Sequence, residues 1–479
     1  MSVLIAASEC VPLVKTGGLA DVIGALPGAL RREGVDARVL LPGYPAVLRA
    51  LRRPRDLGPA PGVDAEISGS HRLLAARTGK VALYVLDAPR LYDRPGNIYE
   101  DRGRDWPDNP SRFGAFSQAA AGLARHGAGG WRADVLNVND WQTGLAPVYL
   151  DHWPGRRVPS VMTIHNISYQ GLFDRGHAGP LGLPDAAYGE GWEYYGRLGF
   201  LKAGLMAADR ITTVSPGYAR EILTSAFGHG LDGVLRARRD ALSGILNGAD
   251  TGVWNPARDR AIPATFSARD LSGKAACRQA RAERFGLDGP DEGPIVGVVS
   301  RLTAQKGIDL LVEALPALLD RGGRFVLLGS GEPGLERAMR EVADVRPGRV
   351  GVEIGYDEAL SHLIYAGADA IAGPSRFEPC GLTQLYALAY GALPVVARTG
   401  GLGDTVIDAN PAALMTGAAT GIVHDPGSAE ALGVAFERLV ALWAEPDLRR
   451  AVRERGMRHP VGWGPSAAAY ARLYRSLVP

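Results

Sequence analysis

The chain has 479 residues, too many for one ordinary hydrophobic core, and its length predicts two or three domains. Its 53 basic residues are nearly balanced by 51 acidic ones, leaving a formal net charge of +2, which argues against a dedicated nucleic-acid or membrane-surface binder. The three cysteines, Cys10, Cys277 and Cys380, are odd in number and widely spaced; they match neither a disulfide framework nor a zinc site, and a cytoplasmic setting is expected.

Val3 to Ala7 predicts a first buried strand rather than a secretory leader, because no basic stretch precedes it and the apolar run stops at Ser8-Glu9. No segment approaches the roughly 18–20 apolar residues of a membrane helix. Leu19, Val22, Ile23, Leu26 and Leu30 then recur at helical spacing, Gly34 closes the helix, and Val39 to Leu41 begins a second strand. Pro27 is expected to kink that helix. Residues 51–70 read as a surface excursion. Asn247 to Pro256 is rich in turn formers and reads as a hinge. The pattern restarts after residue 290, with strands at 295–299, 325–328 and 352–354 and helices at 308–319 and 335–345. Such alternation implies a parallel sheet covered by helices in each half.

Residues able to do chemistry gather in loops after these strands. Lys15-Thr16-Gly17-Gly18 follows the first strand and enters its helix. Glycines let the backbone approach an anion closely, a helix start supplies amide donors, and Lys15 adds a full charge. Asp21, just beyond, suits a sugar hydroxyl; an ordinary strand-to-helix turn is the alternative. Thr16 to Asp21 is echoed at Thr399-Gly400-Gly401-Leu402-Gly403-Asp404. The echo is either a second helix start aimed at a ligand or a coincidence of glycine-rich turns.

Arg301 and Lys306 follow the 295–299 strand, at the end where open α/β sheets place their ligands. Two cations there suit a pyrophosphate, unless they are solvated surface charge. A third loop, Pro374 to Gln384, joins a strand at 370–372 to a helix. It offers the Glu378 carboxylate to sugar hydroxyls and the amides of Gly381, Leu382 and Thr383 to phosphate; Glu378 alone would also fit a helix-capping role. Gly329-Ser330-Gly331-Glu332-Pro333-Gly334, with Glu353 roughly 20 residues on, formally fits a dinucleotide-binding fingerprint and makes an NAD-dependent oxidoreductase the alternative function. Its proline, and the Lys15, Arg301 and Glu378 segments it leaves unexplained, weigh against it.

Lys15 to Val22 and Glu378 to Gln384 resemble the N- and C-terminal signatures of the bacterial glycogen synthase and plant starch synthase family. Further matches at Tyr92 to Asn97, Thr163 to Asn166, Tyr169 to Gly171, Val214 to Pro216, Asn247-Gly248 and Gly355 to Glu358 run in family order across nearly the whole chain. The resemblance implies an α/β GT-B fold: two Rossmann-like, doubly wound parallel-sheet domains facing across a cleft. Residues 1–246 would form the glucan-acceptor side and 257–459 the nucleotide-sugar donor side, with 460–479 returning as a helix to the first domain. The implied reaction moves glucose from ADP-glucose to the non-reducing 4-hydroxyl of an α-1,4-glucan such as glycogen, with retention of configuration and release of ADP. No metal or other cofactor is implied, and the chain holds no Asp-x-Asp pair and no clustered His/Cys ligand set. UDP-glucose stays open as donor, as does an inactive glucan-binding protein; nucleic acid and membrane are not expected partners, and oligomeric state is open.

By the same resemblance, Lys15 and Gly18 contact the donor phosphates within the Thr16-Gly17 loop that carries Asp21. Arg301 and Lys306 neutralise the leaving pyrophosphate, with Leu382 and Thr383 adding donors to it. Glu378, with the Cys380 and Gly381 amides, holds the glucose 3- and 4-hydroxyls. His165 meets the glucose near its 6-hydroxyl, Tyr356 stacks on the base, Asn247 touches the sugar, and Asp140 belongs to the substrate site. One position departs from the family's pattern, and another is normal for the family while departing from the wider class. Gln142 stands where histidine is common, and Tyr386 occupies the place of a second glutamate found in other retaining GT-B enzymes. No acid in these motifs is placed as a nucleophile, so a same-face displacement is the expected chemistry.

Overall fold

The computed structural model describes residues 1–79, 81–185, 188–288 and 293–478, and Glu190 through its backbone alone. The restart point after residue 290 and the final residue of the 460–479 segment lie outside the described residues. The chain divides into two units, Met1–Asn247 with Trp463 onward, and Gly248–Gly462. Residues 248–256, read from the sequence as hinge, therefore belong to the second unit. The reason is packing: Trp254 is sandwiched between His362 and Tyr386, each ring 3.9 Å away, and the Ala249 amide donates to Val461 O at 2.7 Å.

Unit 1 is built on β1 (Ser2–Ala6), β2 (Asp36–Pro42), β3 (Arg55–Asp56), β4 (Arg72–Thr78), β5 (Val81–Asp87), β6 (Val135–Asn139), β7 (Ser160–Ile164), β8 (Arg210–Thr213) and β9 (Leu242–Gly244). They lie in the order β9-β8-β7-β6-β1-β2-β5-β4-β3, parallel except where β4 meets β5 and β3. Val3, Leu4, Ile5 and Ala6 are wholly buried because helices cover both faces of a central parallel strand, which is why the run is continuously apolar. Helix α1 (Gly18–Arg32) runs through Pro27 without interruption. The 51–70 segment is mostly exposed, yet it contributes β3 and presses Gly62 against Trp153 and Gly122 of helix α2 (Asn109–His126).

Unit 2 contains β10 (Ile295–Val299), β11 (Arg324–Gly329), β12 (Val350–Ile354), β13 (Ala370–Gly373), β14 (Leu393–Ala397) and β15 (Ile422–His424), all parallel, in the order β12-β11-β10-β13-β14-β15. Phe325 and Leu327 enter one core cluster and Val326 and Leu328 another, so this sheet too is buried on both faces. Its helices include α3 (Ile308–Leu319), α4 (Pro333–Val345), α5 (Thr383–Ala389) and α6 (Gly400–Thr405). The strand order is the 3-2-1-4-5-6 of a doubly wound domain. Helix α7 (Gly464–Arg475) packs back on unit 1: Tyr474 donates to Asn137 Oδ1 at 3.0 Å, and Arg475 reaches Glu33 O at the end of α1.

Among the parallel strands of each unit the order reverses once, at β1/β6 and at β10/β13. Loops diverge at such a reversal and leave a crevice at the C-terminal strand ends. Lys15 to Asp21, Asp140, Arg301, Lys306 and Glu378 to Thr383 lie in or just beyond those loops, whereas His165, Asn247 and Tyr356 follow other strands.

Candidate active site

In unit 1 the loop after β1 is organised by a residue that the motifs do not contain. Glu9, 3% exposed, accepts the Thr16 and Gly17 amides at 2.5 and 3.1 Å and the Thr16 hydroxyl at 2.6 Å. Two of the amides expected to face a phosphate are therefore already occupied. The first amides of α1, from Gly18 onward, have no partner within the helix and remain the donors of this loop. Lys15 pairs with Asp21 at 2.9 Å, with side-chain exposures of 43% and 26%. An ion pair this open is worth little and exchanges readily for another anion.

The loops after β6 and β7 bring Asp140 and His165 together. Asp140 sits at φ 55°, a conformation rare outside glycine, and its Oδ1 accepts the His165 amide at 2.7 Å. Burial pushes the Asp140 carboxyl up to about 7, against the lowering effect of the His165 and Asn166 amides. Burial lowers the His165 imidazole to about 3, so the ring is neutral; its Nε2 meets Asn139 Oδ1 at 2.9 Å while part of its surface stays open to solvent. Asn247 is 8% exposed and its Oδ1 has no hydrogen-bond partner among the described residues, an acceptor suited to a hydroxyl. Gln142 is also buried, and its Oε1 is likewise unpaired among the described residues.

These shifts have opposite consequences for stability. Folded Asp140 holds its proton up to about 7, against 3.8 for the ordinary group, so its contribution is fully present below that lower value and is lost as pH rises towards 7. Folded His165 resists protonation down to about 3, so its contribution is present above 6.5 and is lost as pH falls below it. Asp140→Asn cannot ionise. In thermal melts it is expected to exceed the wild-type Tm at about pH 8 and to match it near about pH 4. Equal Tm values at the higher pH would show that Asp140 carries no buried-charge penalty.

In unit 2 the loops after β10 and β13 interlock. Gly307, at φ +70°, lies so close to Pro374 that an added Cβ would stand 2.1 Å from its carbonyl oxygen. The Arg376 guanidinium grips Asp309 through two bonds of 2.7 and 2.6 Å, reaches Ala304 O, and holds the Asp309 carboxyl below the usual range. These contacts place Lys306 Nζ in an ion pair with Glu378 Oε2, which Ser375 also reaches at 3.3 Å. Arg301 is exposed on the same loop and enters no ion pair among the described residues.

The Glu378 loop is tied from behind. Gln384 donates to the Cys380 and Gly381 carbonyls at 3.0 and 3.1 Å, and the Gly401 amide meets the Glu378 and Pro379 carbonyls at 3.3 and 3.2 Å. Gly381 is left-handed at φ +72°, and Leu382 and Thr383 begin α5, where amides are unused within the helix. Tyr356, 75% exposed, stands after β12, two strands from the reversal and so roughly 10 Å to the side, with its hydroxyl at 3.3 Å from Glu358.

The Gly329 to Gly334 fingerprint has a different use. A Cβ on Gly329 would stand 1.9 Å from Ser300 O, and one on Gly331 would stand 2.2 Å from Leu302 O. The Glu332 amide already donates to Leu302 O at 2.8 Å. These glycines admit the neighbouring β10 loop rather than a dinucleotide, which removes the observation behind the oxidoreductase alternative.

Residues 2–237 match the family model of the starch synthase catalytic domain, and 279–459 that of glycosyl transferases group 1. A glycogen synthase from Roseobacter denitrificans is 53% identical over 480 residues, covering 100% of both chains. The chain belongs to the glycogen and starch synthase family. A second family member, a glycogen synthase from Rhodopseudomonas palustris, is 53% identical across 100% of this chain and 99% of its own. The solved catalytic domain of starch synthase IV from Arabidopsis thaliana, bound to ADP and acarbose, superposes with a TM-score of 0.88 at 32% identity, covering 100% of this chain and 99% of that one. Sucrose-phosphate synthase from Thermosynechococcus elongatus shares the fold, with a TM-score of 0.59, 20% identity and coverage of 99% and 98%. As a member of this family the chain is a glycosyltransferase with the two-domain α/β GT-B fold.

Proposed function

We propose that the enzyme transfers glucose from ADP-glucose to the non-reducing 4-hydroxyl of an α-1,4-glucan, with retention of configuration and release of ADP, in the cytoplasm. The observation that carries this is the Lys306–Glu378 pair at the unit 2 strand reversal. Cations suited to a pyrophosphate lie beside a carboxylate suited to hydroxyls, and a nucleotide sugar presents both groups side by side. The glycogen synthase relatives and the ADP named for the starch synthase neighbour support the choice of acceptor and donor.

Lys306 has three donors and can serve a phosphate while keeping Glu378 oriented. Arg301 lies on the same loop to share the developing charge. Glu378 is held by Lys306 and Ser375, and Asp140 by the His165 amide, so neither carboxylate stands loose as a nucleophile. Departure of ADP and attack by the acceptor hydroxyl on the same face follow, the hydroxyl's proton passing to the departing phosphate of ADP, with catalysis supplied by positioning and charge stabilisation. Tyr356 is assigned to the base, Asn247 to the sugar, and Lys15 and Gly18 to the donor phosphates. Arg301 and Lys306 supply the charge that a metal would otherwise carry, so no metal is assigned to the reaction. Among the described residues no group of three or more His, Cys, Asp or Glu side chains could hold a metal ion, and no helix is long and apolar enough to cross a membrane.

Incubation with glycogen and either ADP-glucose or UDP-glucose, with and without EDTA, tests this reading. The expected result is release of ADP and lengthening of the glucan, unchanged by EDTA. Release from UDP-glucose alone would change the donor, loss with EDTA would overturn the metal-free assignment, and no release from either would overturn the function.

A further inference from the structure

We infer that Glu9 is the positioning residue of the Lys15-Thr16-Gly17-Gly18 loop, an internal anion that fills its first two amides and so directs a donor phosphate to Gly18. The inference rests on the proposed use of this loop in donor binding. Glu9 Oε2 takes both backbone amides, of Thr16 and Gly17, and Oε1 takes two hydroxyls, of Thr16 and of Tyr99 at 2.6 Å. Four donors match the four lone-pair sites of a carboxylate. No lysine, arginine or histidine forms an ion pair with it among the described residues, and the partners that hold it are neutral groups.

What Glu9 adds is a fixed acceptor on the amides leading into α1, in the place where an external anion would otherwise settle. With that place filled, the remaining donors begin one residue later, at Gly18. Tyr99 locks the arrangement from a distant segment. That segment is itself anchored by two Arg94–Asp108 bonds of 2.8 and 2.7 Å and by Asn109 donating to Tyr99 O at 2.9 Å. Ser8, beside Glu9, lies 2.6 Å from the Tyr99 hydroxyl.

The test compares Glu9→Ala and Glu9→Gln with wild type, reading ADP affinity by calorimetry and turnover with ADP-glucose and glycogen. Glutamine can turn its Oε1 to the two amides and its NH2 to the two hydroxyls, which can reverse and accept. Glu9→Gln is therefore expected to stay within about threefold of wild type. Glu9→Ala is expected to weaken ADP binding and raise the donor KM by about tenfold or more, with the glycogen KM within about twofold. A purely structural role would instead lower Tm and shift both KM values together. Wild-type ADP affinity and donor KM in Glu9→Ala, or a Glu9→Gln as impaired as Glu9→Ala, would overturn the inference. If Glu9→Ala does not fold, Thr16→Val removes one donor to Oε1; it should raise the donor KM about threefold, and no change would count against the inference. A wild-type enzyme that binds ADP without turning over ADP-glucose would count against the proposed function, and the calorimetry would still decide the role of Glu9.

Discussion

Lys306→Ala is expected to lower kcat at saturating ADP-glucose by about 10²–10³, the loss seen when one preorganised donor to a developing negative charge is removed. In the ground state Lys306 also holds Glu378, whose side chain is only 13% exposed. Alanine leaves that carboxylate with Ser375 as its remaining side-chain partner. The pair is neither fully buried nor at the surface, so its rupture should cost ~1–3 kcal/mol, between the values for those extremes. The two effects can be separated. The double variant Lys306→Ala/Glu378→Gln removes the stranded charge and should regain Tm without regaining turnover. Near-wild-type kcat in Lys306→Ala would mean that this amine does not stabilise the leaving group.

The second large effect sets the two matching glycine turns against each other. Gly401→Ala places a Cβ 2.2 Å from Cys380 O and 2.5 Å from its Cα, so the loop carrying Glu378 must move. Turnover should be lost and the fold weakened. At Gly18, the first residue of α1, an added Cβ meets nothing within 4 Å. Alanine is a better helix former than glycine by ~0.5–1 kcal/mol, so Gly18→Ala should fold as well as wild type or better. Its donor KM should nevertheless rise by about tenfold, because a methyl group now stands where the backbone must approach a phosphate. Melting curves and donor titrations of both variants check this. A fully active Gly18→Ala would show that the open face of this turn is not a contact surface.

The repeated motif thus has one use in each unit. At Gly401 the missing side chain admits a neighbouring loop, and at Gly18 it leaves the surface open. The sequence shows the glycines in both places but not what approaches them. The same holds for Gly329 and Gly331, whose spacing fits a dinucleotide fingerprint and whose space is taken by Ser300 and Leu302.

Much of the architecture was legible in the chain alone. Continuous apolar runs such as Val3 to Ala6, and helical spacing such as Leu19 to Leu30, are properties of single segments, and burial on each face leaves its period in the residues themselves. The Lys15, Arg301 and Glu378 loops could be placed at strand ends for the same reason. Pairings between segments were decided by tertiary structure. Lys306 meets Glu378 across 72 positions, and Arg376 meets Asp309 across 67, only because β10 and β13 are neighbours in the sheet. Glu9 looked like the polar end of a strand, and Trp254 like part of a hinge. The first became the anchor of a loop and the second the centre of a ring stack, because hydrogen bonds and packing depend on what faces a residue in space. Periodicity records that a side chain is buried; it carries no record of its partner.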